Sequence, residues 1–215
     1  MPDSSSNPLD LPTRRLVTLA AAIAQGEEPE VRDNVAEAIA AGMPAAWGDE
    51  LLLQSMLMVG WPRTLVAAAL WRKAIGQPAT AAEDDLHYAD HPDWTSRGEA
   101  TCRIVYGDNY LKLRQNVRAL HPALDAWMLT EGYGRTLSRP GLDLKRREFC
   151  VIAQTAVLDT PRQLHSHLRG ALHAGATLEE VDAVLVEVNP FVAYDHWKGV
   201  KELWEQVRDG WDPLA

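Results

Sequence analysis

The sequence predicts an all-α protein containing two copies of one helical unit. Apolar residues recur at three- and four-residue spacings in segment after segment, and no segment shows a convincing apolar–polar alternation of the kind a half-buried strand requires. The chain also matches itself without a gap over four helical segments, which is the signature of an internal repeat.

Taken in order, a Ser-rich start leads through Leu9-Asp10-Leu11 into a helix from Thr13 to Gln25, with Leu16, Leu19, Ala20 and Ile23 on one face. A second helix is expected from Pro29 to Ala41, ending at Gly42. A third runs from Pro44 to Val59 and a fourth from Pro62 to Ala74, because proline is tolerated in a first helical turn, where its missing N–H has no partner to lose. Gly76-Gln77-Pro78 ends this pattern and opens a stretch rich in Ala, Asp and His that reads as a linker. Ser96 is then expected to cap a helix reaching Tyr106, followed by a turn at Gly107-Asp108 with Asp108 capping its neighbour. Shorter helices should cover Asn109 to Leu120 and Pro122 to Glu131, before a loop at Gly132-Tyr133-Gly134 and a turn at Ser138-Arg139-Pro140-Gly141. Two strongly patterned helices come next, Asp143 to Leu158 and Thr160 to Gly175, the second entered through Thr160-Pro161 with the threonine as N-cap. Thr177-Leu178-Glu179-Glu180 has the form of a capping box and starts another helix, and a last one starts near Asp195.

The self-match lays Leu9-Asp10-Leu11 on Leu142-Asp143-Leu144 and runs on through Arg14 on Arg147, Ala38 on Ala171, Asp49 on Asp182, Leu52 on Leu185 and Leu70-Trp71 on Leu203-Trp204. Residues 9–75 therefore form a first repeat, 76–97 a linker, and 98–215 a second unit. The copies differ in chemistry. Glu148 of the second is matched by Arg15, and His167 by Asn34. In the second copy Leu164, Leu168, Ala171 and Leu172 make an apolar stripe that contains His167, so an imidazole points at the core. Glu148 sits at the edge of the stripe on the preceding helix. Antiparallel packing of the two helices would bring carboxylate and imidazole together as a proton-transfer pair.

Composition narrows the function classes. An apolar share of 47% with 24% charged residues is that of an ordinary globular chain, and the formal charge of −9 argues against gripping nucleic acid or an anionic membrane. Cys102 and Cys150 are the only cysteines and lack metal-ligand or disulfide spacing, so neither a zinc site nor a disulfide framework is indicated and a reducing cytoplasm is the simplest compartment. No apolar run is expected to be long enough to cross a bilayer, and the start lacks the basic and apolar segments of a signal peptide.

The run Ser138-Arg139-Pro140-Gly141-Leu142-Asp143-Leu144, then Arg147-Glu148, then His167-Leu168-Arg169-Gly170-Ala171-Leu172 and Gly175-Ala176-Thr177-Leu178-Glu179-Glu180 resembles the carboxymuconolactone decarboxylase family. Gly98-Glu99-Ala100 and Val105-Tyr106-Gly107-Asp108 look like the opening of a family member. The resemblance implies an all-α bundle related to the AhpD-type alkylhydroperoxidases, whose single-repeat members form rings, often hexamers. It places Glu148 and His167 at the positions of the family's acid and active-site histidine. The peroxidase branch carries a Cys-x-x-Cys pair where this chain has Thr160 and Gln163, so thiol peroxidase chemistry is not expected. Tyr106 and Gly132-Tyr133-Gly134-Arg135 depart from typical muconolactone decarboxylases.

The implied function is a lyase without metal or cofactor, acting on a small cyclic carboxylate or lactone through His167 and Glu148. Arg169, Arg139, Tyr133 and His165 are the candidate substrate-binding residues. Each has an ordinary structural alternative. His167 can be a satisfied core histidine, Glu148 a first-turn acid complementing its helix dipole, and Arg169 a solvated helix residue. His173 reads as a surface histidine. Trp61, Trp71, Trp197 and Trp204 read as core or interface residues, with Trp71 and Trp204 as anchors of repeat or subunit contacts. The competing functional classes are an isomerase or cyclase using the same pair and a non-catalytic scaffold that fills the space beside His167. No nucleic-acid or membrane partner is expected. A homo-oligomer is, with a trimer of two-repeat chains reproducing a ring of six units.

Overall fold

The computed structural model describes residues 7–78 and 91–212, and every regular element among them is helical. The first repeat comprises α1 (Leu11–Gln25), α2 (Glu28–Ala40) and α3 (Ala45–Ile75). Its counterpart comprises α7 (Leu144–Val157), α8 (Pro161–His173), α9 (Leu178–Val188) and α10 (Tyr194–Asp209). Between them lie α4 (His91–Tyr106), a 3₁₀ turn at Gly107–Asn109, α5 (Tyr110–Leu120), α6 (Pro122–Trp127) and a π-helix at Met128–Leu137. Residues 79–90 of the expected linker are outside the described residues, and its end at 91–97 already belongs to α4.

The two repeats share one apolar core, in which α1 packs on α7 while α1 touches α9 and α7 touches α3. These reciprocal contacts reproduce the self-match in three dimensions. Asp10 Oδ1 accepts from Thr13 N at 2.7 Å and Asp143 Oδ1 from Arg146 N at 3.0 Å, so equivalent acids cap α1 and α7. The indole of Trp71 donates to Asp49 at 2.8 Å, and that of Trp204 to Asp182 at 2.6 Å. Both tryptophans are buried inside their own repeats. Of the core and interface roles expected of them they fill the first, as clasps within each repeat, while Trp61 is 64% exposed. Across the joint, Arg14 donates to Glu187 at 2.5 Å, and its equivalent Arg147 donates to Gln54, the residue matching Glu187, at 3.2 Å.

Several local expectations are corrected. The third and fourth segments are continuous as α3 but broken at Gly60, whose φ of 72° and ψ of 174° only glycine adopts easily. By length and composition α3 could cross a membrane, contrary to expectation; the break leaves each half short of the roughly 20 residues a span needs. Ser96 does not cap α4, which starts at His91; its hydroxyl donates back to Asp93 O inside the first turns. Thr160 makes no cap hydrogen bond, because its hydroxyl donates to Thr155 O at 3.1 Å. The capping box at Thr177 and Glu180 is present in both directions.

The expected loop at Gly132-Tyr133-Gly134 is part of the π-helix, with the Thr136 hydroxyl donating five residues back to Glu131 O at 2.7 Å. Close packing of this helix on α4 requires a glycine on each side, Gly134 and Gly98. A Cβ on Gly134 would stand 2.0 Å from Trp94 O, and one on Gly98 would stand 2.0 Å from Leu129 O. The approach buries Tyr133 with Cys102, Val105, Tyr110, Leu129 and Leu137 in a second small core beneath α4.

Helices α5 and α6 are held to each other by Asp125, 2% exposed, which accepts from Arg114 and from Arg118 at 2.7 and 2.9 Å. Hydrogen bonding from Arg114 is the first cause lowering the Asp125 carboxyl below its ordinary 3.8, with Arg118 adding to it against the opposing effect of burial. A depressed folded pKa means stabilisation that is full above 3.8 and lost as pH falls through the lower folded value. Asp125→Asn should cost about 1.5 kcal/mol at pH 7 by weakening the charge-assisted hydrogen bonds to two solvent-reaching arginines, and the gap to wild type should close at acid pH. Urea unfolding of both proteins across pH 2 to 7, roughly spanning that titration, checks this.

Candidate functional site

Asp143 fixes where α7 begins, and one turn later Arg147 and Glu148 both point into the protein, each 0% exposed. Arg147 is satisfied by Leu142 O, Arg139 O, Gln54 and Glu50 at 2.7 to 3.2 Å. Glu148 points toward α8. Its Oε2 lies 2.7 Å from Nδ1 of His167, itself 6% exposed on the apolar stripe of α8. Carboxylate oxygens only accept, so Nδ1–H is the donor and Nε2 is the nitrogen left for another partner. Glu148 Oε1 is buried with no hydrogen-bond partner among the described residues.

Two phenols stand against the pair. The Tyr106 ring meets the His167 ring edge-on with centroids 6.4 Å apart, and Tyr133 lies behind it, its ring 6.2 Å from that of Tyr106. Burial pushes the Tyr106 phenol up to about 12, opposed by hydrogen bonds from Tyr133 and Ser166. Tyr133 is raised well above 10.0, again by burial first and then by Tyr106 and Glu148. Both therefore keep their protons at neutral pH and can donate hydrogen bonds. Burial likewise lifts the Cys102 thiol to about 12 and raises that of Cys150, so neither is poised as a thiolate.

Beyond Tyr106 opens a cavity of about 320 Å³, walled by Ile104, Asp108, Asn109, Arg169, His173 and Trp211 among others. His167 does not line it. The void stops at Tyr106, which touches both. Arg169 is half-buried and has no hydrogen-bonding or ion-pair partner among the described residues. His173, expected at the surface, is half-buried instead: its Nδ1–H donates to Val105 O at 2.8 Å and its ring lies 5.1 Å from that of Trp211. Asp108 caps neither flanking helix and faces this cavity. Among the described residues no group of three or more His, Cys, Asp or Glu is arranged to hold a metal ion.

The other sequence candidates separate. Tyr133 is 5% exposed behind Tyr106 and lines no mouth, because the π-helix turns it inward. Arg139 donates to both oxygens of Glu50 at 3.0 Å beside Arg147, so it belongs to the joint between repeats. His165 lies in a different surface depression with Pro161, Arg162 and Leu203, away from Arg169. Tyr106, His173 and Trp211 were missed as site residues. The four-residue spacing of Arg169 and His173 was the available signal for one of them, since it puts both on one face of α8.

In the first repeat this machinery is replaced. Arg15, at the Glu148 position, pairs with Glu37 at 2.7 Å, and Asn34, at the His167 position, donates back to Glu30 O at 3.0 Å.

The carboxymuconolactone decarboxylase family model matches residues 3–73 and 122–206, one segment in each half of the chain. Peroxisomal protein 2 of Schizosaccharomyces pombe is 29% identical over 138 residues, which cover 61% of this chain and 62% of that relative's length.

Proposed function

Because the chain belongs to the carboxymuconolactone decarboxylase family, we propose that it is a cofactor-free carboxy-lyase acting on a small cyclic carboxylate or lactone, of the kind formed in aromatic-compound breakdown. The observation that carries this reading is the buried Glu148–His167 hydrogen bond at 2.7 Å, present in one repeat and replaced in the other. In such a reaction the bond to the departing carboxylate breaks, carbon dioxide leaves, and the electron pair passes through the conjugated ring to the lactone carbonyl. The resulting dienolate then takes a proton on carbon. His167 takes a proton from solvent at Nε2 and passes it to that carbon, while Glu148 accepts from Nδ1–H throughout and stabilises the imidazolium that precedes transfer. Arg169, the cation facing the cavity, neutralises a substrate carboxylate, and the protonated Tyr106 donates to the oxygen on which charge develops. The ring of Tyr106 occupies the space directly against His167, the filling expected of the scaffold alternative, so the lyase reading requires a ligand in the cavity to reach the imidazole past this residue. Two buried thiols suit a reducing compartment, the cytoplasm in the simplest case.

Incubation with carboxymuconolactone, following carbon dioxide release, tests the reading. Wild-type protein and Asn34→Ala should turn over equally. His167→Asn, which installs the residue the first repeat already carries, should fold normally and lose at least about a hundredfold in rate. A folded His167→Asn protein with full activity would remove the imidazole from the mechanism, and no release by wild type would refute decarboxylation of this lactone.

We also propose a homotrimer. The repeats expose apolar residues at matching positions, Leu53 and Val186 at 46% and 68%, Trp61 and Tyr194 at 64% and 97%, so one chain presents the same kind of face twice. Light scattering should give about three times the chain mass of 23.8 kDa; a mass of one chain would defeat this arrangement.

A further inference from the structure

We propose that Gly170 is the positioning residue that seats the Glu148 carboxylate against His167. Gly170 is buried on α8, three residues after His167 and on the same face of the helix. A Cβ there would lie 2.5 Å from Glu148 Oε2, 3.3 Å from its Cδ and 2.7 Å from Cγ1 of Val105 on α4. The first of these atoms is the one that accepts from His167 at 2.7 Å. The carboxylate thus occupies the space a side chain would take, and the approach that forms the pair requires none to be present.

Glycine in a helix interior is less favourable than alanine, so α8 carries a residue that weakens it at this place. In the first repeat the seat is filled. Glu37 stands at the equivalent position, and its partner is Arg15, the residue equivalent to Glu148, at 2.7 Å. Positions 148 and 170 have therefore changed together between the repeats: an acid over a glycine in one, a base against an acid in the other. The obstructed atoms in Gly170→Ala, Glu148 Oε2 and Val105 Cγ1, both belong to side chains and not to backbone, so the helix pair can accept the methyl by turning the carboxylate away while Val105 on α4 gives slightly. The expected result is an intact fold with a broken pair.

The activity arm of the test rests on the decarboxylase reading, whereas the spectroscopic arm does not. In wild type the Nδ1–H of His167 should give a downfield imidazole proton resonance, assigned by its loss in His167→Asn. Gly170→Ala should keep the helical circular dichroism and a cooperative thermal transition, with a midpoint no higher than that of wild type, because the lost buried pair outweighs the gain in helix propensity. It should also lose the resonance and lower kcat at least tenfold with little change in KM. The double variant Val105→Ala/Gly170→Ala removes the contact with α4 but leaves that with Glu148, so the resonance should stay absent. It serves equally if the single variant fails to fold. Return of the resonance in the double variant would assign Gly170 to packing of α4 on α8, and an unchanged resonance in Gly170→Ala would overturn the seat outright.

Discussion

The buried guanidinium of Arg147 is the interaction on which the arrangement turns. A cation taken out of water is costly unless its donors are all met, and this one meets acceptors from both repeats: Gln54 and Glu50 from α3, Leu142 O and Arg139 O from the turn before α7. Satisfying it fixes the rotation of α7 and its depth in the joint. The next residue is Glu148, whose direction toward α8 is settled by the same rotation. Gln54 answers by donating to Arg147 O at 3.1 Å, so main chain and side chain of one residue are both held by the opposite repeat. Structure and site are coupled here at adjacent positions of one helical turn.

Duplication explains why that coupling could be used unequally. Each repeat has the same capping acid, the same tryptophan-to-aspartate clasp and the same arginine across the joint. What differs lies on the outer side of α1 and α7. On the first repeat a partly exposed Arg15–Glu37 pair meets solvent, whereas on the second α4 and the π-helix cover the equivalent region and bury Glu148 and His167. Covering takes the pair out of water, which strengthens its hydrogen bond and leaves Glu148 Oε1 without a partner. The inserted segment also brings Tyr106 to the imidazole and builds the outer cavity. The second repeat folds like the first; the layer laid over it differs.

Much of this was legible in the residues. The periodicity gave the helices, the gapless self-match gave the two repeats, and one imidazole inside an apolar stripe marked His167 as unusual. Glu148 and His167 meet because antiparallel neighbours of known length have few registers open to them. The inserted layer was read less well, for a physical reason: its π-helix and its backbone contacts through Gly98 and Gly134 depend on tertiary approach, and glycines that mark loops in sequence here permit helices to touch. Arg139 looked like a mouth residue because loop arginines face solvent by default; Glu50, from the other repeat, draws it inward. His173 reads as superficial because it lies on another face of α8 than His167, and Val105 O of α4 draws it inward.

In the proposed reaction the negative charge of Glu148, held against Nδ1 of His167, makes this imidazole the proton donor. Glu148→Gln keeps the shape and the hydrogen-bond acceptor while removing the charge, so steady-state kinetics with carboxymuconolactone address the claim directly. The account predicts a folded enzyme with KM close to wild type and kcat lowered by about a hundredfold or more. Unaltered kcat in that variant would contradict it.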